Sequence, residues 1–140
     1  MKTFTFLIML LAISACSSTN ILTKDEKNTA YQAYITKQQL ISVNKVTAFK
    51  FDSWRSLTDN YLIISSSINK NYLIELNSSC SDLSFAHGIV VNQSSSASLS
   101  RRFDSISHNE MPGFNCYIKS IYKLTRPQVK EVTAIGKKAA

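Results

Sequence analysis

A chain of 140 residues, 44% hydrophobic and 18% charged, has enough apolar material for one core, and its length favours a single domain. Three glycines and two prolines exclude collagen-like and low-complexity classes. Lys and Arg outnumber Asp and Glu by 16 to 9, and the net charge of +7 suits an anionic partner without specifying a fold.

Lys2 supplies one positive charge, and residues 4–15 are apolar apart from Thr5 and Ser14. This run is shorter than the roughly 17–25 residues a membrane span needs. It matches the apolar region of about 7–15 residues in a secretory signal peptide. It closes on Ile13-Ser14-Ala15-Cys16, which resembles a bacterial lipobox: an aliphatic residue and two small ones admit the chain to a narrow peptidase cleft, and the cysteine thiol takes up lipid. The resemblance implies a signal peptide over residues 1–15 and a mature chain beginning at an acylated, palmitate-bearing Cys16. Each buried CH₂ of the acyl chains contributes ~0.8 kcal/mol to anchorage. By the same analogy Ser17, in place of an aspartate, points to the outer membrane. An ordinary signal peptide with a chance cysteine, or a buried N-terminal helix, is the alternative. Residues 16–23 read as lipidated cysteine and polar tether, and residues 24–140 as one domain.

In that domain Thr23-Lys24-Asp25-Glu26 is a capping box. Ala30, Tyr31, Tyr34 and Ile35 follow at helical spacing, predicting a helix over residues 24–38 with Tyr31 and Tyr34 on its core face. From Leu40 the period changes, and Ile41, Val43, Val46, Ala48 and Phe49 predict a strand. Residues 61–64 (YLII) and 72–76 (YLIEL) predict a hairpin around the turn-prone residues 65–71. Residues 89–91 read as a short strand and 94–100 as a polar loop or strand edge. Phe103 and Ile106 mark a strand or bend, and residues 117–124 the last strong strand. Thr125-Arg126-Pro127-Gln128 is a second capping box, with proline tolerated in the first turn. Val129, Val132 and Ile135 follow, and Lys137 and Lys138 complement the helix C-terminus, predicting a helix over residues 126–137. The expected architecture is α+β: a small antiparallel β-sheet or open β-barrel with an N-terminal and a C-terminal helix.

With Cys16 acylated, Cys80 and Cys116 remain, an even pair that an oxidising compartment would join as a disulfide. The rival is metal ligation completed by His87 or His108, which no CxxC or HxxxH spacing supports. No metal and no cofactor is expected.

Possible catalytic sets are thin. A Ser/His/Asp triad can be drawn from Asp82, His87 and Ser98, or from Asp104, His108 and Ser105, but triads are recognised by geometry, and no GxSxG elbow holds any serine here. Gly88, Gly113 and Gly136 are too far apart for a phosphate-cradling loop. Asp52, Asp59 and Glu75 could pair, though strand carboxylates more often face solvent. The most distinctive polar stretch is Arg101-Arg102-Phe103-Asp104. One reading makes Arg101, Arg102 and Asp104 a partner contact, with arginine as bidentate donor. The other is a solvated strand end in which Asp104 pairs an arginine or caps a turn. The basic charge is spread along the chain without an aromatic–basic module of the RRM or OB kind, which argues against nucleic acid.

Trp54, YLII, YLIEL, Cys80-Ser81-Asp82-Leu83, Ala86, Phe103-Asp104-Ser105-Ile106, Cys116-Tyr117-Ile118 and Ile121-Tyr122-Lys123-Leu124 stand in one order. This order resembles a family of small Gram-negative bacterial lipoproteins of unknown function over about residues 31–135. The resemblance implies a lipid-anchored periplasmic domain with Cys80 paired to Cys116, and brings no assigned catalytic residue. The expectation is an outer-membrane lipoprotein facing the periplasm, held by membrane lipid through Cys16. It would act as a non-catalytic module for an envelope protein or cell-wall partner. The alternative is a hydrolase or other enzyme acting on envelope polymers.

Overall fold

The structure is a computed structural model that describes residues 21–137. The signal peptide and acylated Cys16 expected from the sequence lie outside these residues. The elements in chain order are α1 (Lys24–Lys37), β1 (Lys45–Thr47), β2 (Ser53–Ser56), β3 (Tyr61–Ser67), β4 (Lys70–Leu76), a short 3-10 turn (Leu83–Phe85), β5 (Ile89–Asn92), β6 (Ser98–Ser100), β7 (Ser105–His108), β8 (Cys116–Leu124) and α2 (Arg126–Ile135). Six strands form one antiparallel sheet in the order β2-β3-β4-β8-β7-β5, and β1 pairs with β6 separately. The sheet is barrel-like and nearly closed, so the fold is α+β with a helix at each end.

Both faces of this sheet are buried, because β3 and β4 are apolar at successive positions rather than alternate ones. Leu62 and Ile64 of β3, with Tyr72 and Ile74 of β4, enter the larger core, shared with Leu83, Leu99, Ile106, Ile118 and Ile121. Their neighbours Tyr61, Ile63 and Leu73 point the other way, into a second cluster closed by Tyr31 of α1 and Val132 of α2. Ile118 and Ile121 share the first core although three positions separate them in β8. Strict alternation would put them on opposite faces. The β4–β8 register breaks between Glu75↔Ser120 and Leu76↔Ile118, so Lys119 is an extra residue on β8 and the side-chain phase flips there.

Both helices start as capping boxes. The Thr23 hydroxyl accepts from Glu26 N–H while the Glu26 carboxylate accepts from Thr23 N–H, and Thr125 and Gln128 repeat the arrangement. Each such N-cap stabilises by about 1 kcal/mol. The strand expected from Ile41 to Phe49 shrinks to β1. Ser42 makes only an isolated antiparallel bridge to Tyr122, Ile41 is 82% exposed and Ala48 has φ 52°, so regular pairing is confined to a three-residue strand. The hairpin is tighter than expected, since β3 and β4 extend through the serines and leave Ile68 and Asn69 as the turn. Cys80 and Cys116 are joined in a disulfide that ties the segment after β4 to the first residue of β8. No helix among the described residues is long and apolar enough to cross a membrane.

Candidate anion-recognition turn

Between β6 and β7 the chain reverses through Arg101, Arg102 and Phe103 and re-enters the core at Asp104, which is fully buried. Its carboxylate accepts three hydrogen bonds of 2.7 Å: from Ser94 N–H and Ser94 hydroxyl on one oxygen, and from Ser100 N–H on the other. The backbone is held as well. Arg101 N–H donates to Asn44 carbonyl, Arg102 N–H to Ile118 carbonyl, and Ile118 N–H to Asp104 carbonyl. A buried charge survives only when paired or fully hydrogen-bonded, and here it organises the turn around itself.

Of the two readings the sequence left open for Asp104, the geometry matches the turn cap. Asp104 does not face a partner beside the arginines, because its carboxylate points inward and is occupied by Ser94 and Ser100. It caps the turn, and so presents its neighbours. Arg102 sits at φ 74°, in the left-handed region that a non-glycine residue enters at a cost of about 1–2 kcal/mol. The Phe103 ring is 75% exposed. Strain of this kind persists where surrounding structure over-determines the backbone, and it concentrates at functional sites.

A cleft of about 620 Å³ opens beneath the turn, lined by Asn44, Lys45, Ser94, Ser100, Arg101 and Arg102. Lys45 arrives through the β1–β6 pairing, where it lies opposite Ser100. Among the described residues the ion pairs are Lys24–Asp59, Lys119–Glu75 and the histidine contacts of Glu110. The cations of Lys45, Arg101 and Arg102 therefore have no counter-ion among the described residues. Arginine donors beside an exposed aromatic ring match the composition of binding hot spots.

The triads drawn from sequence do not assemble. Asp104 bonds to Ser94 and Ser100, while His108 turns elsewhere: its Nδ1 lies 3.3 Å from Glu110 Oε2 and its Nε2 3.0 Å from Ser81 carbonyl. His87 is almost wholly exposed and meets the other Glu110 oxygen at 3.0 Å. Ser98 is buried in β6. Asp59 and Glu75 do not pair with each other but take Lys24 and Lys119. Burial pushes the Asp59 carboxyl up, but hydrogen bonds from Lys24 and from Ser84 outweigh it and leave it below its ordinary value. Among the described residues no cluster of His, Cys, Asp and Glu has the makings of a metal site.

Sequence reading missed Glu110, which bridges both histidines. The His108-x-Glu110 spacing was a weak local signal, and the approach of His87 was invisible. The His87 side chain and backbone N–H, with the carboxylate's own backbone amide, hold Glu110 down to about 2. Replacing His87 with alanine should move the Glu110 titration, followed by carboxyl NMR, up toward the ordinary 4.5. Since the folded value is depressed, the contact stabilises above the unfolded pKa and is lost as pH falls from about 4.5 to about 2. An unmoved midpoint would refute the contact.

The sequence matches a family of unknown function, DUF6491, over residues 1–139. The chain belongs to DUF6491. No curated protein and no solved structure matches it. For this DUF6491 protein, residue roles therefore rest on its own geometry.

Proposed function

We propose that this DUF6491 protein is a non-catalytic binding module of the bacterial cell envelope. In this reading it is anchored in the outer membrane through acylated Cys16 and docks an anionic envelope protein on the Arg101-Arg102-Phe103 turn. The observation that carries the docking function is the turn itself: a strained backbone, fixed by a buried carboxylate, holds Arg102 and an aromatic ring outward beside the half-buried Arg101. The lipobox-like residues 13–16 support the anchor. Residues 16–23 would then act as a tether, reaching at most about 26–29 Å when extended.

The test is a photoreactive phenylalanine analogue at Phe103, with Ile68 at the hairpin tip as control, in cells producing the full chain. The expected result is one acidic protein crosslinked from position 103 and not from 68. Its yield should fall at least tenfold in Arg101→Glu/Arg102→Glu and again when Cys16→Ala releases the protein from the membrane fraction. Equal capture from both positions, or membrane retention of Cys16→Ala, would overturn the corresponding half of the reading.

A further inference from the structure

Beside the start of α1, apolar side chains stand outward on a rigid base. The 3-10 turn Leu83–Phe85 buries Leu83 and leaves the Phe85 ring 74% exposed. Phe85 and Ala86 share a shallow cleft of about 270 Å³ with Met111, which is also exposed and comes from the turn after β7. Single exposed apolar residues are ordinary, but a cluster of them marks an interaction surface. The base is braced from three sides. One Asp59 carboxylate oxygen accepts from Ser84 N–H at 3.2 Å and from Ser84 hydroxyl at 2.9 Å. His108 Nε2 lies 3.0 Å from Ser81 carbonyl, and Asn109 N–H donates to Gly88 carbonyl at 3.1 Å. Asp82, at the head of the turn, is held at φ 62°, in the left-handed region.

The place of this patch on the chain points to its occupant. Lys24, the first residue of α1, reaches over the Phe85 ring, its Nζ 5.5 Å from the centroid and 2.6 Å from the Asp59 carboxylate. Ile21, three residues earlier, is exposed as well. The chain from Cys16 to Ile21 spans at most about 17–18 Å when extended. An acyl chain on Cys16 therefore keeps the bilayer within that reach of Ile21, and a short tether makes even a weak contact persist. The other exposed landmarks lie elsewhere. Ile68 is at the far end of the β3–β4 hairpin, and the arginine turn precedes β7 whereas Met111 follows it. Charge narrows the surface further. Asp59 pairs with Lys24, and Glu110 with the two histidines. Asp82 and the first-turn acids of α1, Asp25 and Glu26, remain exposed beside Lys24. That mixture repels an anionic surface and suits headgroups carrying both signs.

We propose that this end of the domain seats on a zwitterionic bilayer surface, with Phe85 and Met111 entering the headgroup region. The inference rests on the anchorage at Cys16 proposed above and adds an orientation to it. With Met111 against the membrane, the arginine turn stands at the opposite end of β7, open to a partner.

The test places a photoreactive phenylalanine analogue at Phe85, with Ile68, 73% exposed, as the matched control. The full chain, purified from cell membranes, is reconstituted in phosphatidylethanolamine–phosphatidylcholine vesicles, and lipid adducts are read by mass spectrometry. Position 85 should give at least tenfold more lipid adduct than position 68. Met111→Glu should cut the yield at 85 at least threefold without moving the unfolding temperature, because the side chain it replaces is exposed. Vesicles rich in phosphatidylglycerol should also give less, and an equal or higher yield there overturns the zwitterionic assignment. Equal adducts at both positions would mean that the domain rolls freely on its tether. That result, an unchanged yield in Met111→Glu, or no adduct at 85 from a vesicle-borne chain overturns the seating and leaves the anchor standing. A chain that does not float with the vesicles overturns the anchor, and the seating with it. Protein adducts in place of lipid from position 85 in intact cells would give the patch to a protein partner and overturn the seating as well.

Discussion

Asp104→Ala should lower the unfolding free energy by about 3–4 kcal/mol, measured by urea denaturation at pH 7. The carboxylate accepts from Ser94 N–H, Ser94 hydroxyl and Ser100 N–H. The alanine variant strands two backbone N–H groups that have no side-chain freedom to find water, each costing about 1–3 kcal/mol, and leaves a void beside them. Asp104→Asn keeps the shape but sets an amide N–H₂ against one of the donors, so about 2 kcal/mol is expected. The functional effect is separable. At temperatures where Asp104→Asn is still folded, crosslinking from position 103 should already fall, because Arg102 no longer has its left-handed backbone enforced. A loss below ~1 kcal/mol for the alanine variant would mean that the turn is held by its backbone bonds to Ile118 and Asn44 alone.

What sequence could reveal here was set by range. The two capping boxes close within four residues, and both form as read from Thr23 and Thr125. The apolar runs at Tyr61 and Tyr72 are long enough to announce a hairpin, though not the position of its turn. Longer-range features were not legible. Ile41 and Phe103 look like strand residues by composition and are 82% and 75% exposed, because hydrophobicity alone does not say which face a short segment turns inward. The phase flip at Lys119 follows from β4 pairing with β8, a contact between distant segments. Asp104 is buried because Ser94 folds back onto it, and Lys45 joins the arginines because β1 pairs with β6. Tyr31 was read as a core residue, and it is one; that Gly136, at the far end of the domain, lies against its hydroxyl was not legible.

Replacing Cys80 and Cys116 together by alanine should cost about 4 kcal/mol, the loop-closure entropy of a 36-residue separation. Against a typical domain stability of about 5–15 kcal/mol this is a large share. The loss should not be uniform. The bond spans the part of the chain that holds β5, β6, β7 and the arginine turn. That half meets the rest of the sheet through β7–β8, where only Ser105↔Tyr117 and Ile106↔Cys116 are paired, whereas β4 and β8 pair from Asn71↔Leu124 to Leu76↔Ile118. Without the covalent link the short junction is the weaker seam. Hydrogen exchange should therefore show β5 and β7 amides losing protection first, while β3 and β4 open only with global unfolding. Reduction of the wild-type chain should reproduce the pattern. Equal loss of protection in both halves would show the disulfide acting on the unfolded chain alone, with no local role in keeping the turn seated.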